Sequence, residues 1–93
     1  MIYLAILDAK IAVDRVAARV KQGGHDIPFD VIKRRFHRSL KNLFALYIPL
    51  VNRWKVFDNY LSPPVQIARG TRSGKVVLQE RQWKTLNELA QKA

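Results

Sequence analysis

The sequence contains no cysteine, which excludes disulfides and any thiolate metal site. It has no long apolar run at its start. Met1 to Leu7 is apolar throughout but spans seven residues, far below the roughly 20 needed to cross a bilayer. That segment has neither a basic leading region nor a small-residue cleavage site, which argues against a secretory signal. No internal repeat and no low-complexity segment interrupts the chain. Acidic residues are few, seven against 17 basic ones, for a net charge of +10. Such an imbalance points to an anionic partner: nucleic acid, nucleotide phosphate, acidic protein or anionic membrane. With no spanning segment, the expectation is a soluble cytoplasmic protein that does not enter a membrane.

What is present suits one small folded unit. The chain has 93 residues, 48% of them hydrophobic, with nine aromatic residues (four Phe, two Trp, three Tyr). That is too apolar for a disordered tail and short enough that the core, and the stability it gives, are modest.

Ile2 to Ile6 is apolar at every position and rich in strand formers, the pattern of a strand buried on both faces of a parallel sheet. Asp8 is placed to cap the following helix. Ala9, Ala12, Val13, Val16, Ala17 and Val20 recur at helical spacing and form its apolar stripe. Gly23 and Gly24 end that helix, and Pro28 fits the first turn of the next. Ile32, Phe36, Leu40, Leu43 and Tyr47 predict a second amphipathic helix running past Tyr47, which Pro49 kinks or ends. Residues 54–57 (WKVF) predict a strand followed by a turn at Asp58-Asn59. Val65 to Ala68 and Lys75 to Leu78 predict a small hairpin, and residues 80–93 a closing helix with Trp83, Leu86 and Leu89 on its apolar side. The order is α/β in character.

The segment from Arg15 to Leu43 carries the chemistry. Arg15, Arg19 and Lys21 precede the glycine pair, and Lys33, Arg34, Arg35, Arg38 and Lys41 follow Pro28. Arg19 lies about one turn before Gly23, and Arg34 and Arg35 about two turns after Pro28, at 3.6 residues per turn. Two helices folded together at such a hinge (Gly23, Gly24, His25 and Pro28) bring several guanidinium groups to one multiply charged anion, above all a polyphosphate. The same charges would also suit an ordinary solvated face. His25 either meets a phosphate or, as such residues more commonly do, bonds a backbone carbonyl and fixes the loop. No partner at metal-ligand spacing accompanies it. Gly70-Thr71-Arg72-Ser73-Gly74-Lys75-Val76 is not a phosphate-binding P-loop. Only three residues separate its glycines, and Val76 stands where a hydroxyl must hold magnesium.

Residues 19–43 (RVKQGGHDIPFDVIKRRFHRSLKNL), then LYIPLVNRW over 46–54, a hydrophobic strand and the Asp58-Asn59 pair, resemble the C-terminal half of the zeta-toxin-like family of P-loop kinases. The resemblance covers roughly residues 2–93. It implies a partial P-loop-kinase-like fold: two parallel strands with a helical lid (about 8–50), then a strand, hairpin and helix (about 54–93), in one incomplete domain. It further implies that Arg19, Lys21, Arg34 and Arg35 are lid cations approaching the phosphates of ATP, with Mg2+ as the family's metal, and that Asp58 and Asn59 lie near the nucleotide pocket. The Walker A loop and the catalytic base of the family belong to the half not matched here. The chain is therefore expected to be a truncated or split kinase half, inactive alone and not binding ATP and Mg2+ tightly by itself, whose partner is a companion P-loop-bearing chain or an antitoxin. Phe29, Asn52-Arg53 and Tyr60 depart from the family's usual residues. The alternative is a small basic nucleic-acid-binding module using the Lys33 to Lys41 face. An open sheet edge also predicts homodimers.

Overall fold

Asp8 begins the first helix as expected: its Oδ1 accepts the Lys10 N–H at 2.9 Å, satisfying one of the free donors of the first turn. The computed structural model describes residues 1–60 and 62–92. In chain order these form strand β1 (Ile2–Ala5), helices α1 (Ala9–Lys21) and α2 (Phe29–Asn42), a π-helical turn (Leu43–Tyr47), a short helix α3 (Ile48–Leu50), strands β2 (Arg53–Asp58), β3 (Val65–Thr71) and β4 (Gly74–Val77), and helix α4 (Glu80–Gln91). Ala93, the last residue of the expected closing helix, lies outside the described residues.

Among the described residues the four strands form one mixed sheet in the order β1-β2-β3-β4. β1 runs parallel to β2, and β3 and β4 follow antiparallel. The hairpin therefore extends the sheet of the two parallel strands. Its inner face carries Ala5, Trp54, Val56, Ile67 and Ala68, which form the core with Phe36 and Leu40 of α2, Leu43, and Leu86 and Ala90 of α4.

Four details depart from the sequence expectations. β1 is an edge strand, not one buried on both faces: Ile2 is 68% and Leu4 51% exposed, while Ala5 is fully buried. Pro28 precedes the second helix as its cap, with ψ 143°, because its extended conformation serves the entry to the helix. The α-helical part of that element stops at Asn42. The Ile48 N–H then reaches back to the Leu43 carbonyl, a turn one residue wider than an α-turn. Pro49 has no N–H to give Ala45, and its ring crowds that carbonyl, so the wider turn relieves the conflict. Finally, the register moves from Val56 opposite Ala68 to Phe57 opposite Gln66. Ile67 is the extra residue of a β-bulge, which lets Ile67 and Ala68 both enter the core although they are adjacent. The Ile67 carbonyl then accepts the N–H groups of Leu78 (2.8 Å) and Gln79 (3.0 Å), tying the start of α4 to β3.

An aromatic stack and a side-chain hydrogen bond tie the core elements together. Trp54 stacks on Trp83 with centroids 5.6 Å apart and planes 12° apart. The His37 Nδ1–H donates to the Leu89 carbonyl at 3.0 Å, joining α2 to α4; a carbonyl can only accept, so the proton sits on Nδ1.

Candidate anion site

The α1 helix ends in a Schellman cap. The Gly24 N–H donates to the Arg19 carbonyl at 2.8 Å and the Gly23 N–H to the Val20 carbonyl at 3.0 Å, with Gly23 at φ 96°, a left-handed conformation that glycine adopts without a Cβ penalty. The glycine pair thus forms a closed cap that fixes the last turn of α1, and with it Arg19. His25 and Pro28 are exposed in the connection that follows.

α1 and α2 pack beside each other, and a pocket of ≈ 350 Å³ opens between them next to β1. Three guanidinium-bearing residues line it: Arg15 and Arg19 from α1 and Arg35 from α2. Ala12, Val16, Ile32 and Phe36 supply apolar wall. No carboxylate is among its described lining residues. The Arg15 Nη2 donates to the Asn59 carbonyl at 2.9 Å, so a neutral backbone group orients it. Two hydroxyls complete the lining: Tyr3 Oη and Ser39 Oγ lie 2.6 Å apart in a hydrogen bond. Burial pushes the Tyr3 phenol above its ordinary pKa, outweighing the lowering by Ser39, and Tyr47 adds a smaller upward push. The phenol is therefore a neutral hydroxyl at ordinary pH. Three arginines and two hydroxyl-bearing residues around a partly apolar recess are of the chemistry that can hold an oxyanion.

The four cations that the resemblance assigns to phosphate do not share one place. Arg19 and Arg35 both line the pocket. Arg34 lies on another side of α2, where with Lys33, Arg38, Lys41 and Lys92 it lines a separate groove of ≈ 610 Å³. Lys21 is exposed on the last turn of α1. Arg34 and Arg35 are adjacent in sequence, so on a helix they diverge by about 100° and cannot both face α1. Asp58 is buried, and its Oδ1 accepts the Tyr60 N–H at 3.0 Å, which folds the turn after β2. Asn59 joins the site through its backbone: its N–H donates to the Ala5 carbonyl at 2.9 Å and its carbonyl receives Arg15. The C-terminal ends of the parallel strands β1 and β2 thereby abut the arginines, the place where open α/β sheets bind ligands.

The Tyr3–Ser39 pair was not legible as a site. Tyr3 sits in an apolar run and Ser39 in a basic one, and nothing in either segment signals that they meet. Arg53, Lys55 and Arg69 form a further cationic group on the sheet. Its signal was the alternation of Arg53 and Lys55 with the core residues Trp54 and Val56, which sends them to the opposite face. No family model matches the chain, and neither a curated protein nor a solved structure resembles it closely enough to name a relative.

Proposed function

We propose that the chain binds the phosphates of a nucleotide or a similar polyphosphate in the pocket between α1 and α2, as the lid of a zeta-toxin-like kinase does. The observation that carries this is that Arg15, Arg19 and Arg35 all line one recess whose described lining has no carboxylate. At ≈ 350 Å³ the recess is near the lower end of ligand pockets, roughly 300–1,000 Å³. It suits a phosphate group and its neighbour, with the remainder of the ligand outside.

The ATP phosphates of the resemblance suit these arginines; its magnesium, which takes one or two carboxylates together with phosphate oxygens and water, would have to draw its carboxylate from outside the described lining of this pocket. Phosphoryl transfer would then need a companion chain carrying the phosphate cradle and metal ligands, with this chain supplying arginines that neutralise charge.

Titration of the full chain with ATP tests the site. A guanidinium–phosphate contact is a hydrogen bond between charged groups, on the order of 1.5–3 kcal/mol, so Arg35→Ala raises the Kd about 10- to 100-fold. Arg34→Ala, which alters the other side of α2, leaves it nearly unchanged. Equal losses from both variants would refute the assignment. The groove of Lys33, Arg34, Arg38, Lys41 and Lys92 favours a second reading, contact with nucleic-acid phosphates. That reading predicts the reverse ranking for an oligonucleotide, with binding that falls steeply as salt is raised.

A further inference from the structure

All helices with core residues pack on one face of the sheet. On the opposite face, among the described residues, no helix covers the strands. The register places Ile2 beside Lys55, Lys55 beside Arg69, and Leu4 beside Phe57. Arg53, Lys55 and Arg69 are exposed there, Phe57 is half-buried, and Ile2 and Leu4 are 68% and 51% exposed. The face thus has two adjoining halves: an apolar patch of Ile2 and Phe57 over β1 and β2, bordered by Leu4, which also lines the α1–α2 pocket, and a cationic one of Arg53, Lys55 and Arg69 over β2 and β3. Lys55 and Arg69 are directly opposed like charges, an arrangement that destabilises a sheet unless an anion is shared between them. No acid is available on this face. Of the seven acidic residues in the chain, six lie on helices or on the segments flanking them, and the seventh, Asp58, is buried at the end of β2.

From this we infer that the open sheet face docks an acidic amphipathic helix of a partner protein, its apolar stripe on Ile2, Leu4 and Phe57 and its carboxylates on Arg53, Lys55 and Arg69. The four strands, about 4.8 Å apart, span roughly 14 Å, enough for one helix of about 10 Å diameter, and helices are the usual cover of α/β sheet faces. A second copy of the chain is a poor occupant, since its own corresponding face is cationic and its net charge is +10. Single-stranded nucleic acid is a poor one too. It needs exposed aromatic rings for its bases to stack upon, whereas Phe57 is half-buried and Trp54 is turned into the core.

The test is fluorescence anisotropy with a labelled synthetic helix of about 18 residues, roughly 27 Å long, bearing leucines at i, i+3, i+4 and i+7 and glutamates along one flank. Binding to the full chain is expected, with Kd raised about tenfold or more by Lys55→Glu with Arg69→Glu, and likewise by Ile2→Asp, at a position outside the α1–α2 pocket. ATP affinity should be unchanged in the Lys55→Glu, Arg69→Glu protein, which separates this face from the α1–α2 pocket and shows that the variant is folded. The inference is overturned if the peptide does not bind, or if the charge reversals leave its Kd within about twofold. It is also overturned if a poly-dT oligonucleotide or a leucine-free acidic peptide binds as tightly, for then charge alone accounts for the attraction.

Discussion

Gly70→Ala exposes how closely the sheet and α4 are packed. A β-carbon on Gly70 would lie 2.5 Å from Cζ2, 2.6 Å from Cε2 and 2.7 Å from Nε1 of Trp54, where carbon atoms in contact are ordinarily about 3.5–4.0 Å apart. The indole must therefore shift by about an ångström, and it has little room to do so. It is 4% exposed and lies against Trp83, which itself meets Phe44 edge-on with centroids 5.2 Å apart. Overpacking of this kind costs about 1–3 kcal/mol, and disrupting the indole stack adds ~0.5–1.5 kcal/mol. The expected loss is about 2–4 kcal/mol, a large part of the stability of a domain of this size. Thermal unfolding followed by tryptophan fluorescence should show a Tm lower by roughly 10–25 °C. Trp54→Phe removes the ring atoms in conflict. The double variant should consequently be more stable than the sum of the single losses predicts, by about 1 kcal/mol or more. A Gly70→Ala protein within about 0.5 kcal/mol of wild type, or strict additivity with Trp54→Phe, would refute the packing argument.

Two smaller effects follow from single contacts. Asp8→Ala removes the cap of α1 and should destabilise the chain by about 1 kcal/mol in urea unfolding, with Asp8→Asn largely retaining stability; no difference between the two variants would contradict the capping role. Burial raises the Tyr3 phenol above its ordinary pKa of 10.0, so the folded chain holds that proton more tightly than the unfolded chain. The resulting contribution is complete below about pH 10 and is lost as the pH rises through the raised value. Urea midpoints measured from about pH 8 to 11 should fall more steeply for wild type than for Tyr3→Phe, and parallel curves would contradict the assignment.

Local chemistry made much of the fold legible. Asp8 before an apolar-periodic segment, the glycine pair after it, and the strand-forming residues 54–57 each act over a few residues, and each element formed near its expected position. What was hidden depends on contacts distant in sequence. The bulge at Ile67 follows from the demand of β2 and α4 for two adjacent core side chains, which breaks the period of two on which strands are recognised. Ile2 and Leu4 look like core residues because they are apolar, yet β1 ends the described sheet and leaves its outer face open. Of the site, the cationic character and the two helices were readable, and so was the divergence of about 100° between the adjacent Arg34 and Arg35, but not which of them faces α1. Arg15 was among the cations the sequence offers, but its bond to the Asn59 carbonyl, 44 residues away, was not legible there.

The central claim, that Arg15, Arg19 and Arg35 act together on phosphate, is tested most directly by NMR of arginine side chains during addition of inorganic triphosphate. The guanidinium resonances of Arg15, Arg19 and Arg35 should shift in parallel along one binding curve, while those of Arg34 and Arg53 lag far behind. Shifts led by Arg34 or Arg53, or three pocket arginines that stay unmoved while triphosphate binds, would contradict it.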